Sequence, residues 1–131
     1  MKQMKLKNII NNIFIKYGLS KSHSKICTDA LINAELVGAP SHGLSRLKMY
    51  CDRISQKVIN PKAIIKIKKI SQSIAHVNAN NSIGFVAADT AIKIAINNAK
   101  KTGIGLVAVK NSGHYGLSGY YAEQAVKKGL M

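Results

Sequence analysis

The sequence predicts an α/β fold. An N-terminal helical region over about residues 1–60 is followed, over about 61–131, by part of a mixed β-sheet with flanking helices. Three observations carry this expectation. Apolar residues recur at helical spacing as far as Ile54. Short β-branched runs near Ile65–Val77 and at Ile104–Val109 then bracket one long amphipathic stretch. Finally, no repeat, low-complexity linker or strong boundary divides the chain, so both parts belong to one unit.

Leu6, Ile9, Ile10, Ile13, Phe14 and Tyr17 share one helical face, and Gly18 stands where a left-handed stop belongs. Ser20 or Ser22 can cap a second helix, which carries Ile26, Ala30, Leu31 and Ala34 and ends near Gly38. Pro40 breaks the chain, and a third helix is expected from about Ser41 with Leu44, Leu47, Tyr50, Cys51 and Ile54 inward. Asn60-Pro61 closes this region. Ile65, Ile67 and the stretch Ser73–Val77 read as short strands, and Asn80-Asn81 as a turn. A helix from about Ile83 to Lys101 is closed by Gly103. Ile104–Val109 reads as a buried strand. A glycine-rich turn and a last helix through Tyr120, Tyr121 and Ala125 complete the order. The arrangement looks unfinished, since Met131 follows a helix that should return to a sheet.

With 131 residues, 47% of them hydrophobic, and a mean hydropathy of +0.01, the chain suits one folded globular domain and not a disordered segment. No apolar run approaches the roughly 20 residues of a membrane span, and the lysine-interrupted start does not read as a signal peptide. Cys27 and Cys51 lack metal or redox spacing and read as buried thiols of a cytoplasmic protein. A net charge of +15 raises nucleic-acid binding. Against it, only Arg46 and Arg53 supply guanidinium forks, the groups favoured for phosphate and base edges. Ile, Lys and Asn, all with A/T-rich codons, supply 47 of 131 residues, so coding bias accounts for the lysines as solvated faces. No cluster of acids and histidines has metal spacing, and no metal site is expected.

Two segments can carry chemistry. In Pro40-Ser41-His42-Gly43, His42 falls at the expected start of a helix, where unpaired N–H groups disfavour the imidazolium. A neutral imidazole there can exchange a proton with a carbinol. Ser41 either caps the helix or fixes the imidazole tautomer. Arg46, four residues on, would share the helix face and could grip a carboxylate or phosphate through two bonds. The second segment, Asn111-Ser112-Gly113-His114-Tyr115-Gly116-Leu117-Ser118-Gly119, runs from a strand into a helix, where ligand sites of α/β proteins gather. Its glycine spacing is not the Rossmann fingerprint. Taken singly, each segment reads first as structure, the first as a cap and the second as a tight turn, with the chemical role as the alternative. His23 is expected in an exposed first helical turn, and His76, between Ala75 and Val77, as a satisfied structural residue.

Together the segments resemble the malate/L-lactate dehydrogenase family that lies outside the Rossmann-fold lactate and malate dehydrogenases. The matching stretches are Ala34–Leu47 and Gly103–Tyr121, with a milder match over Val77–Gly84 between them. The resemblance implies an NAD(P)-dependent oxidoreductase that moves a hydride between the cofactor, NAD or NADP, and a small 2-hydroxy or 2-keto acid. It implies His42 as proton donor and acceptor assisted by Ser41, with Arg46 at substrate or cofactor. It implies His114 in the same cleft, in a catalytic or binding role, and His114, Tyr115, Gly116, Leu117 and Ser118 against the cofactor. A homodimer is also implied. Val37 stands where relatives often carry arginine and Asn78 where aspartate is usual, which loosens the choice of substrate. Family members are more than twice this length, so the chain is expected to be the N-terminal portion of such an enzyme, as a fragment or truncated product. An inactive remnant is one alternative, and a small basic nucleic-acid-binding protein the other.

Overall fold

A computed structural model describes residues 2–131. Helix α1 (Lys2–Lys16) is followed by α2 (Lys21–Leu36), α3 (Leu47–Ser55), β1 (Lys66–Lys69), β2 (Ile74–Asn78), α4 (Gly84–Thr102), β3 (Leu106–Lys110) and α5 (Ser118–Val126). The strands form one mixed sheet in the order β1-β2-β3. β1 pairs antiparallel to β2 with Lys68 opposite His76, and β2 pairs parallel to β3 with Val77 opposite Val109. This is the expected α/β class, and the antiparallel pair separates it from a doubly wound parallel sheet.

The turns stop where the local chemistry says they should. Gly18, Gly38 and Gly103 all take positive φ after their helices, a conformation that costs glycine no steric penalty. Ser20 is the residue that caps α2, its hydroxyl accepting the His23 N–H at 3.2 Å. Asn80 and Asn81 are both left-handed, as a turn of this kind requires. Ile10 and Phe14 of α1, Leu31 of α2, Tyr50 of α3 and Phe85 of α4 meet in one core, all essentially without solvent contact. Ile9, expected on the inward face, lies outside it and is exposed. Both cysteines are buried and unpaired, and burial pushes both thiols up, so neither is a ready nucleophile.

Three expectations need correction. No α-helix starts at Ser41: Pro40–His42 and Leu44–Arg46 are separate 3₁₀ turns, and α3 begins at Leu47. His42 therefore ends a short turn instead of opening a helix, and the helix-dipole argument for its neutral form lapses. β3 is not a buried strand. It lies at the edge of the sheet with Leu106 and Val109 exposed, because only β2 pairs with it. His76 is not satisfied inside the sheet. The two-residue alternation of β2 turns Ala75 and Val77 inward and His76 outward, beside Lys66, Lys68 and Lys110.

α4 approaches the glycine-rich turn so closely that a side chain at Gly84 would overlap the carbonyl oxygens of Gly113 and His114. Gly84→Ala is expected to lower stability by about 1–3 kcal/mol, as overpacking against backbone does. Urea unfolding followed by circular dichroism checks this, and an unchanged midpoint would show that the turn does not rest on α4.

Candidate active site

The fold brings the two sequence segments together. Ser41 and His42 lie on the turn after α2, and His114 lies on the turn after β3. Their imidazole rings stack at a centroid separation of 5.8 Å and an interplanar angle of 25°. Both histidines are half-buried. Ser41 Oγ and His42 Nδ1 are 3.1 Å apart, so the hydroxyl does meet the imidazole. Arg46 donates from Nε to the Ser41 carbonyl at 2.8 Å and is itself an exposed residue. Ser45 Oγ donates to the Pro40 carbonyl at 2.7 Å and closes the segment on itself.

One support of this segment was not legible as such. Glu35, near the end of α2, accepts the Leu44 N–H at 2.7 Å and packs against Gly43, where any side chain would collide with its carboxylate. A charge-assisted bond of this kind holds the His42 turn against α2. The other four carboxylates, Asp29, Asp52, Asp89 and Glu123, all pair with lysines. Glu35 stands apart by bonding to the backbone instead.

The second unforeseen residue is Tyr50, which the periodicity marks only as apolar. Its ring is fully buried and packs on Phe85 at 4.7 Å. Its hydroxyl lies 2.6 Å from His114 Nδ1. A buried tyrosine has to find a partner for its O–H, and that requirement is the signal that could have pointed to it. Gly116 N–H donates to the same His114 nitrogen at 3.2 Å. Gly116 itself has φ +80°, and its bare α-carbon faces the Phe85 ring. On the far side of the turn, Tyr121 Oη donates to the Tyr115 carbonyl at 2.8 Å. Asn78, the residue at the departing position, accepts from Asn80 N–H at 3.0 Å and from Asn111 Nδ2 at 2.9 Å, tying the two loops together.

The turn divides the remaining expected residues between two sides. His114 faces His42 and Tyr50. Tyr115 and Ser118 instead line a cleft of about 540 Å³ between α4, β3 and α5, with Ala88, Val107 and Ser112. Gly116 is packed on Phe85, and Leu117 is half-buried where it leads into α5. Among the described residues no group of three or more histidines, cysteines and carboxylates could hold a metal. No helix among them is long and apolar enough to cross a membrane.

Burial and the neighbouring positive charges of His42, Arg46 and Arg53 hold His114 below the ordinary histidine range. The unfolded chain therefore takes up this proton first as pH falls. The contribution to stability is complete above pH about 6.5 and is lost as pH drops from there towards the folded value. Urea midpoints followed down through this window are expected to fall more steeply for the native sequence than for His114→Gln. Parallel curves would show that His114 titrates as it does in the unfolded chain.

A helical layer over a mixed sheet, with paired histidines between α2, α3 and the end of a parallel strand, defines an α/β protein built around a two-histidine site. It is not a glycine-fingerprint dinucleotide-binding unit. The chain belongs to the malate/L-lactate dehydrogenase family, whose model matches residues 1–131. It is 42% identical over 124 residues to a malate dehydrogenase of Pyrococcus abyssi, covering 95% of this chain and 34% of that protein. It is 36% identical over 125 residues to the malate/(S)-sulfolactate dehydrogenase of Methanothermus fervidus, covering 95% of this chain and 37% of that one. The solved structure of malate dehydrogenase from Pyrococcus horikoshii OT3 matches with a TM-score of 0.93 at 37% identity, over 97% of this chain and 36% of the other. The chain spans about a third of the length of these relatives.

Proposed function

We propose that the chain carries the acid/base half of an NAD(P)-dependent 2-hydroxyacid oxidoreductase. The observation that supports this best is the stacking of His42 on His114 across 72 residues of sequence, with Arg46 alongside. His42 exchanges the proton. When its Nδ1–H donates to Ser41 Oγ, the lone pair on Nε2 is free to take a hydroxyl proton, and the same nitrogen returns it to a carbonyl oxygen in reduction. Arg46 has its Nε engaged and its terminal nitrogens open, an arrangement suited to a substrate carboxylate. His114 completes the wall of this site.

Residues fit for a nicotinamide are present next door. The cleft beside Tyr115 and Ser118 is lined mainly by alanine, valine and isoleucine side chains, with Ser112 and Ser118 at hand for an amide. That composition suits a flat, mostly apolar ring. NAD or NADP, when bound, supplies the exchange of a hydride with C2 of the acid. Tyr115 and Ser118, which line this cleft, would hold the ring, and Gly116 and Leu117 would set the course of the turn behind it, with Gly116 packed on Phe85.

Malate and sulfolactate, the acids in the relatives' names, are the first substrates to test. A homodimeric and cytoplasmic protein belongs to the same proposal, and light scattering checks the dimer. The deciding experiment titrates the protein with NADH and NADPH while following the ring resonances of His42 and His114. Reduced-cofactor absorbance is followed in parallel reactions that pair NAD or NADP in its oxidised form with each 2-hydroxy acid, and NADH or NADPH with the matching 2-keto acid. Saturable shifts with turnover support the oxidoreductase. Shifts without turnover assign a remnant that has kept its site. The absence of both shifts and turnover would overturn the proposal.

A further inference from the structure

We propose that Tyr50 is a positioning residue that fixes His114 in the tautomer with Nδ1 bare and Nε2–H outward, so that His114 offers a hydrogen-bond donor, not a base, to a substrate oxygen beside His42. Two groups converge on Nδ1, the Gly116 N–H at 3.2 Å and Tyr50 Oη at 2.6 Å. An amide N–H can only donate, so Nδ1 is an acceptor and carries no hydrogen. The Tyr50 hydroxyl hydrogen must then point at Nδ1 as well. Burial pushes the Tyr50 phenol well above its ordinary value, so it keeps that hydrogen throughout the neutral range. A neutral imidazole with Nδ1 bare has its one hydrogen on Nε2.

The surroundings work in the same direction. The charged groups acting on His114 are His42, Arg46 and Arg53, all of them positive or able to become so. Among the described residues no carboxylate acts on the ring to draw a hydrogen onto Nδ1. The stack with His42 also disfavours charging both rings at once. The pair is thereby divided: His42 exchanges the proton, and His114 holds a carbonyl or carboxylate oxygen through Nε2–H. Tyr50 sits in the first turn of α3, four residues after Arg46, so one short segment sets both the tautomer and the carboxylate grip.

The tautomer is independent of the oxidoreductase proposal; only the substrate oxygen rests on it. Long-range proton–nitrogen correlation spectra of the ¹⁵N-labelled protein read the tautomer directly. The native sequence is expected to show His114 with a bare Nδ1 and a protonated Nε2 above its titration midpoint. In Tyr50→Phe only the longer Gly116 N–H contact is left on Nδ1, so a share of the other tautomer is expected to appear and proton binding at His114 to strengthen by about tenfold. A purely structural role for the hydroxyl would move neither. A native His114 protonated on Nδ1 overturns the inference, as does a Tyr50→Phe spectrum with unchanged tautomer and midpoint. If that variant fails to fold, the native spectrum alone still decides. Absence of turnover in a protein with the expected tautomer would instead count against the oxidoreductase.

Discussion

Replacing His42 with alanine is expected to lower the proposed 2-hydroxyacid oxidation on the order of 10²–10⁴-fold, the usual range for a positioned acid/base group. The fold should tolerate the change. His42 is half-buried on a turn whose other bonds, from Leu44 N–H to Glu35 and from Ser45 Oγ to Pro40, do not involve the imidazole. The loss should therefore fall on kcat more than on KM, since the proposed grip of Arg46 and His114 on the acid is left in place. Initial rates of the native and alanine proteins over a range of acid concentrations would separate the two effects. A variant that keeps full turnover would move the proton exchange away from His42.

Phe85→Ala is expected to cost about 3–5 kcal/mol of folding stability, the range for emptying a buried aromatic site. Phe85 has no solvent contact and packs on Tyr50, which has none either. It also backs Gly116, the residue that sends its N–H to His114. One deletion would thus leave a cavity in the core and remove the floor beneath the Tyr50–His114 contact. Unfolding by urea measures the first effect, and the His114 ring resonances report the second. A loss below ~1 kcal/mol would mean that the site collapses and repacks without strain.

The fold was legible to the extent that its signals are local. The stops at Gly18, Gly38 and Gly103 were readable because glycine is the residue that takes positive φ freely. The outward course of His76 follows from the alternation of Ala75 and Val77 around it, a local signal that outweighs its apolar neighbours. Pro40–Arg46 departs from its local pattern. Its apolar spacing continues that of α3, but the backbone is bent into two 3₁₀ turns by bonds to Glu35 and within the segment. β3 carries the β-branched composition of an interior strand, and its exposure follows from its place in the sheet.

The candidate site divides in the same manner. Ser41, His42, Arg46 and His114 stood out by residue type and motif, and the structure gathers them. Tyr115 and Ser118 line a neighbouring cleft instead of joining the histidines. Tyr50 and Glu35 looked like ordinary helix positions, because what distinguishes them is a partner elsewhere in the chain.

Sequence alone thus determined the order of the elements, the stops between them and the two histidine segments, since periodicity and turn chemistry act over a few residues. Only the tertiary structure decided that those segments meet, and which atom of His114 is engaged. That engagement is a 2.6 Å contact between residues 64 positions apart. It forms because Tyr50 of α3 and Gly116 of the turn after β3 both pack on Phe85, a matter of three-dimensional burial that no local pattern encodes.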